Sequence, residues 1–320
     1  MKRQAKNFLL AITDQIRLKT SSNNQNGLFN FCQTNINTDQ ILKSTAIIAS
    51  EGGNLYSFNE ESGNIQLIFH TDEYLMGIAQ QDNIFYVSGS QRLYKIDNGS
   101  VYCTKHFTPF VNFHHINIYE NKIYVTATLV NQIWVFDLDL NIIEKIRISP
   151  PDPSRKVKAG KNYNHINGIF LHKDKFYACL NWLDKQWGYS GVAEFDSKFK
   201  ELKRYKYGWQ SHALQIINEN LVTLCATTPG KVISHPGRSG LFVDGQLVFE
   251  HSTDVLCKDF AYNNKNYILA GGQAANRSQR KTATGHIYIL DKNFKLVKEL
   301  IFPSTGGFKG ALTLNKNNHQ

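Results

Sequence analysis

No apolar run in this chain approaches the roughly 20 residues that a membrane-crossing helix needs. The N-terminus, MKRQAKNFLLAITDQ, starts with basic residues as a secretory signal does, but its apolar stretch from Phe8 to Ile12 is broken by Thr13 and Asp14. That core is too short for a signal peptide, and a cytoplasmic protein is the expectation. Cysteines are few and odd in number: Cys32, Cys103, Cys179, Cys225 and Cys257, with no C-x-x-C pair. Neither a disulfide framework nor a zinc ribbon is indicated, and reduced cysteines packed in strands are expected. No G-x-S-x-G, H-E-x-x-H or P-loop pattern occurs, and Gly271-Gly272 lies outside any G-x-G-x-x-G context. Helical periodicity is nearly absent after residue 20.

What is present is a repeat. Short segments share one order: a semi-apolar strand, a turn through Asn, Asp or Lys, an aromatic or β-branched strand, a loop, and another apolar strand. The second strands read IFYVSG from Ile84, KIYVTA from Lys122, KFYACL from Lys175, NLVTLC from Asn220 and NYILAG from Asn266. The third read RLYKID from Arg92, QIWVFD from Gln132, GVAEFD from Gly191, GLFVDG from Gly240 and HIYILD from His286. Alternation, β-branched and aromatic content, and Gly/Asn/Asp ends are strand signatures. Four strands per repeat, at a spacing of 38 to 51 residues, predict propeller blades.

Five blades are expected at 75–107, 113–148, 163–207, 210–250 and 256–302. A sixth is split between TAIIAS, NLYSFN and IQLIFH (from Thr45, Asn54 and Ile65) and the C-terminal GALTLN from Gly310. Closure by a terminal strand removes two exposed sheet edges. The chain thus reads as an all-β, six-bladed β-propeller over 45–316, with an N-terminal extension at 1–44 and a tail at 317–320. The Asn- and Gln-rich segment 7–44 suits an extension or partial strand better than a seventh blade.

Aligning the inner strands puts Gly77, His115, His165, His212, Asp259 and Gly310 at equivalent positions. Three consecutive blades would aim His at the channel. Period-2 alternation adds Asn117 and Asn167 to its wall and turns His114 away, between blades. Three imidazoles and a carboxylate suit zinc, manganese or iron, so His115, His165 and His212 are the candidate metal ligands, with Asp259 as fourth ligand or general base. A polar channel without an ion is the competing reading. Tyr163 is a candidate phenolic acid.

The net charge is +10. Four long loops on the same face hold ten basic residues (Arg155, Lys156, Lys158, Lys161, Lys185, Lys231, Arg238, Arg277, Arg280 and Lys281) against Asp152 and Asp184. Such a rim attracts carboxylate, phosphate or sulfate groups, with Arg277, Arg280 and Lys309 as first candidates to hold them. Trp182, Trp187 and Tyr189 share this face. No nucleic-acid-binding module is visible.

The segments EYLMGIA (Glu73), HHINIY (His114), NHINGIF (Asn164), QSHALQ (Gln210) and CKDFAY (Cys257) resemble a family of bacterial, largely cyanobacterial, β-propeller proteins of unknown function. The resemblance runs from about residue 40. It implies the propeller and places His115, His165 and His212 on the family's His segments. Where the family more often has Arg-Gly, this chain has Lys258-Asp259. The layout is also similar to six-bladed propellers with an axial metal, either the calcium-binding gluconolactonase type or the three-His zinc peptide-amidating lyase type. The expected function is a metal-dependent lyase or hydrolase acting on a small anionic substrate, sugar-derived ones included. A non-catalytic propeller gripping a protein or glycan by its loop face is the alternative.

Overall fold

A computed structural model describes residues 28–34, 36–148, 163–183, 189–226 and 239–314. Six antiparallel sheets stand around an axis. Blade 1 runs from its inner strand Leu75–Gln81 to Ser100–Thr104, blade 2 from Phe113–Tyr119 to Ile142–Arg147, and blade 3 from Ile166–His172 to Glu201–Lys206. Blade 4 runs from Ser211–Ile217 to Gln246–Glu250 and blade 5 from Val255–Tyr262 to Leu296–Phe302. Blade 6 takes its inner strand, Phe308–Thr313, from the far end of the chain and pairs it with Ala46–Ser50. The six inner strands touch in sequence, and the last touches the first. The expected blades and closure are those observed.

The strand pattern explains the layering. Second strands are buried on both faces, as in Asn266–Gln273, because each is sandwiched between neighbouring blades. Outer strands are mostly exposed, as in Ile142–Arg147. The hairpins joining inner to second strands in blades 2, 3 and 4 turn on left-handed pairs: Glu120-Asn121, Lys173-Asp174 and Asn218-Glu219. These short type I′ turns match the twist of the strands they join, so one face of the ring is trimmed close and the other carries the long loops. The strand Leu28–Thr34 extends blade 1 as a fifth, outermost strand, which accounts for part of the expected extension. The short helix Thr38–Lys43 follows, capped by Asn37, whose side chain accepts from the Gln40 N–H at 3.1 Å.

At the axis every inner strand bulges. In each, one extra residue is inserted opposite the second strand: at Met76-Gly77, at His114-His115, and at Asn167, His212, Lys258 and Lys309. A bulge bends the strand and breaks its period-2 alternation. It also brings adjacent backbones close. A Cβ on Gly310 would sit 2.1 Å from the Met76 carbonyl oxygen, and one on Gly168 would sit 2.4 Å from that of His212.

Gly310→Val should therefore strain the ring where it closes. The expected loss is about 1–3 kcal/mol, the usual cost of overpacking, read as a lower urea midpoint. An unchanged midpoint would show that blades 6 and 1 do not meet as described.

Candidate functional site

The bulges set the register of the site. One residue from each blade lines the axial cavity: Met76, His114, Asn167, His212, Lys258 and Lys309, with His115 beneath them. The alignment expected from sequence slips by one residue in four blades and by two in blade 3. Only His212 falls on the cavity ring as aligned. Alternation across a bulge is not period 2, so His114 faces the cavity instead of packing between blades.

The cavity encloses about 240 Å³ including its open mouth. Lys309 is 8% exposed and its Nζ lies 3.1 Å from Oε1 of Glu51, itself 6% exposed. Arg280 Nη1 lies 3.6 Å from the same oxygen. Lys258 comes within hydrogen-bonding reach of Lys309. Burial pushes the Glu51 carboxyl up, but the fields of Lys309, Lys258 and Arg280 prevail and hold it below the usual carboxylate range. Burial, then the neighbouring Lys309, pulls the Lys258 amine well below the lysine range. Lys309 and Arg280 thus share one carboxylate, and Lys258 lies close enough for its field to act on the same group.

The imidazoles are neutral. Burial first, then the nearby lysines, lowers His114 and His212 well below the histidine range and brings His165 to about 3. The ring of His114 is 5.8 Å from that of His165 and 6.5 Å from that of His212, centroid to centroid. His212 Nδ1 lies 2.7 Å from the Gln210 carbonyl oxygen, a contact that needs a proton on Nδ1 and leaves Nε2 as an acceptor. Asn112 Nδ2 contacts His114 Nε2 at 2.9 Å. Asn167 donates to Asn181 Oδ1 and the Ser211 carbonyl, while its own Oδ1 is buried without a protein partner.

One layer deeper lie Gly77, His115, Gly168, Ala213, Asp259 and Gly310. Their small members leave room on the axis for His115, whose Nε2 comes within 3.9 Å of Asp259 Oδ1 directly across the ring. This pair forms the cavity floor. Burial lowers His115 to about 4 and raises Asp259 to about 7. Asp259 accepts from the Phe260 and Ala311 N–H groups and ties blade 5 to blade 6. It does not reach the cavity as a fourth ligand or base.

His165 stands at the mouth. It has left-handed backbone (φ 51°), as do Asn112 and Gln210 at the same place in blades 2 and 4, each two residues before the cavity residue. Its ring packs 5.2 Å from that of Trp182, which is buried. Tyr163 is half-buried and does not line the cavity. Asn117 lies deeper, with a buried Oδ1 that has no partner. Arg277 is exposed on the rim, and its field helps keep His165 neutral. Lys281 donates to the Asp72 carbonyl at 2.9 Å. The loop residues Arg155, Lys156, Lys158, Lys161, Lys185, Lys231 and Arg238, with Trp187, lie outside the described residues.

A divalent metal does not suit these side chains. The cavity already holds two lysines, and its one nearby carboxylate is engaged by Lys309 and Arg280. His115 belongs to the floor with Asp259, away from His165 at the mouth. Among the described residues no group of three or more His, Cys, Asp or Glu is placed to hold a metal ion. The cysteines Cys179, Cys225 and Cys257 are free and buried, and Cys103 is buried.

His114, Lys258 and Met76 are cavity residues that the sequence reading missed or placed elsewhere, and it also missed Glu51, the partner of Lys309. A signal for three of them exists. Five of the six cavity residues precede Gly, Ala or Asp in a doublet: Met76-Gly77, Asn167-Gly168, His212-Ala213, Lys258-Asp259 and Lys309-Gly310. Aligning on the small second member gives the observed register and turns His114-His115 to its first histidine. Glu51 follows a different strand and carries no such mark.

No family model matches this chain, and no curated protein does. Solved structures do. One is a nidogen/laminin complex, with a TM-score of 0.59 at 11% identity over 84% of this chain and 97% of that one. Another is a protein of unknown function from Bacteroides caccae, with a TM-score of 0.58 at 11% identity over 84% and 98%. At this identity the likeness shows the fold alone, and with the six sheets it makes the chain a six-bladed β-propeller.

The neutral imidazoles make stability pH-dependent. A group with a lowered folded pKa favours the folded state above its unfolded pKa, and that advantage is lost as pH falls. His114, His115, His165 and His212 all act so below about pH 6.5. Asp259, raised to about 7, acts oppositely, but it is one group against four. Each imidazole contributes up to about 1.4 kcal/mol per pH unit, reduced by partial exposure. The melting temperature should fall steeply from pH 6.5 to pH 5, and less steeply in His212→Asn. A flat profile over that range would contradict the neutral, buried cluster.

Proposed function

We propose that the protein binds a small anionic molecule at the mouth of its axial channel and acts on it by proton transfer, in lyase or hydrolase chemistry. The observation that carries this reading is the charge imbalance: Lys309 and Arg280 both converge on the single Glu51 carboxylate, beside a cavity that Lys309 lines together with Lys258. An entering carboxylate, phosphate or sulfate group would balance it, and burial strengthens that attraction over its value in water. His212, neutral at physiological pH with Nε2 free to accept, is the proton acceptor beside that group. Asn167 Oδ1 supplies an acceptor that fixes the orientation of a donor on the ligand.

The anion of the sequence reading is kept, and cationic side chains stand where that reading placed a metal. Arg277 belongs to the approach, not to the pocket. Membership of the bacterial propeller family of unknown function goes with this reading, through the inner-strand segments that resemble it. The second reading is a propeller that binds a protein or glycan by its long-loop face without catalysis. On its side is the fold shared with a nidogen/laminin complex.

Calorimetric titration with phosphate, sulfate and small carboxylates tests the site. Lys309→Met should weaken binding about ten- to a hundredfold, the value of a charge-assisted hydrogen bond, and Lys258→Met should weaken it less. His212→Ala should keep binding and lose turnover. Undiminished affinity in both lysine variants, with the fold intact by circular dichroism, would overturn the reading. One divalent metal per chain, lost in His212→Ala, would replace it with the metal-dependent one.

A further inference from the structure

The anion reading leaves one group unexplained. A lysine recruited only to hold an anion works best beside a carboxylate at rest, as Lys309 is beside Glu51 at 3.1 Å. Among the described residues no carboxylate pairs with Lys258. Instead the charged group that acts on it most strongly is another lysine, Lys309, which shares the cavity wall with it, and the opposing field of Glu51 comes second. Two amines that share one small cavity and meet each other cannot both keep their proton cheaply. The one without a carboxylate gives it up, and burial works in the same direction. A free amine beside a fixed cation is the arrangement that makes lysine a nucleophile toward carbonyl carbon.

We infer that Lys258 is a carbonyl-reactive amine and that the ligand of this cavity is a small 2-oxo acid or aldehyde acid, held as an imine. The inference rests on the anion-binding reading of the same site and adds the electrophile. The ligand's carboxylate meets Lys309, which lines the cavity with Lys258 and so sets the neighbouring carbonyl against Lys258 Nζ. The new C–N bond forms from the amine lone pair, and the carbonyl π pair moves to oxygen, which takes up a proton. A second proton lets that oxygen leave as water, and the amine gives up its two N–H protons to balance the two the oxygen has taken, which leaves the imine. His212 Nε2 and the His114 ring stand beside this centre as proton carriers. No oxidant or reductant is needed for the step.

The test is reductive trapping of the full chain with glyoxylate and sodium cyanoborohydride near pH 7, followed by peptide mass mapping. Exposed Lys198 and Lys292 serve as internal references. The expected result is one reduced adduct per chain on Lys258, formed at least about tenfold faster than on the references, since each unit of lowered pKa yields tenfold more free amine. Inorganic phosphate should slow it. Adducts spread evenly over the exposed lysines, or formed on Lys309 and not Lys258, would overturn the inference. Phosphate titration of the same preparation separates the two readings. Phosphate binding without a Lys258 adduct removes the imine and leaves the anion site standing, whereas loss of both removes the two together.

Discussion

Six strands have to meet edge-on around an axis only wide enough for a few side chains. This crowding governs the rest of the molecule. Each inner strand relieves it with a bulge, which turns one residue toward the cavity and sets the next against the neighbouring blade. That next position is Gly or Ala in four blades because the adjacent carbonyl leaves no room for more, as Gly310 against Met76 shows. The two larger residues that do occupy it, His115 and Asp259, come from opposite blades and together close the floor. The pocket is the space left above them.

Its electrostatics follow from the same geometry. Ring residues from six blades point at one place, so charges far apart in sequence lose their water together. Lys258 and Lys309 are 51 positions apart, and Glu51 stands near the other end of the chain. Brought together, one lysine finds a carboxylate and the other finds a lysine. His114, His165 and His212 are held neutral by burial and by those lysines, and His115 by burial. On the proposed function, an entering anionic group would balance the cations that crowd around Glu51.

The fold was largely legible. Strand runs such as KIYVTA and HIYILD have the right period and composition, and their near-even spacing led to the blade count and to closure by the C-terminal strand. The site was legible only in part. The reading found that polar residues of consecutive inner strands converge on the axis, and it included His212, Asn167, Lys309 and Arg280. It put His115 where His114 stands and gave Asp259 the place of Lys258. The reason is local: one inserted residue in a strand shifts every later position by one, and period-2 reasoning carries no mark of the insertion.

Blade number, strand order and the edges that pair were decided by short-range pattern, because each blade is built from neighbouring hairpins whose turns and alternation are local properties. Which member of each doublet enters the cavity was decided only when the six strands packed against one another, since the bulge exists to relieve a clash between blades. The pairing of Glu51 with Lys309, and the lack of a carboxylate partner for Lys258 among the described residues, belong to that second class. They depend on which side chains the closed ring brings within a few ångströms, and no stretch of this chain taken alone contains that distance.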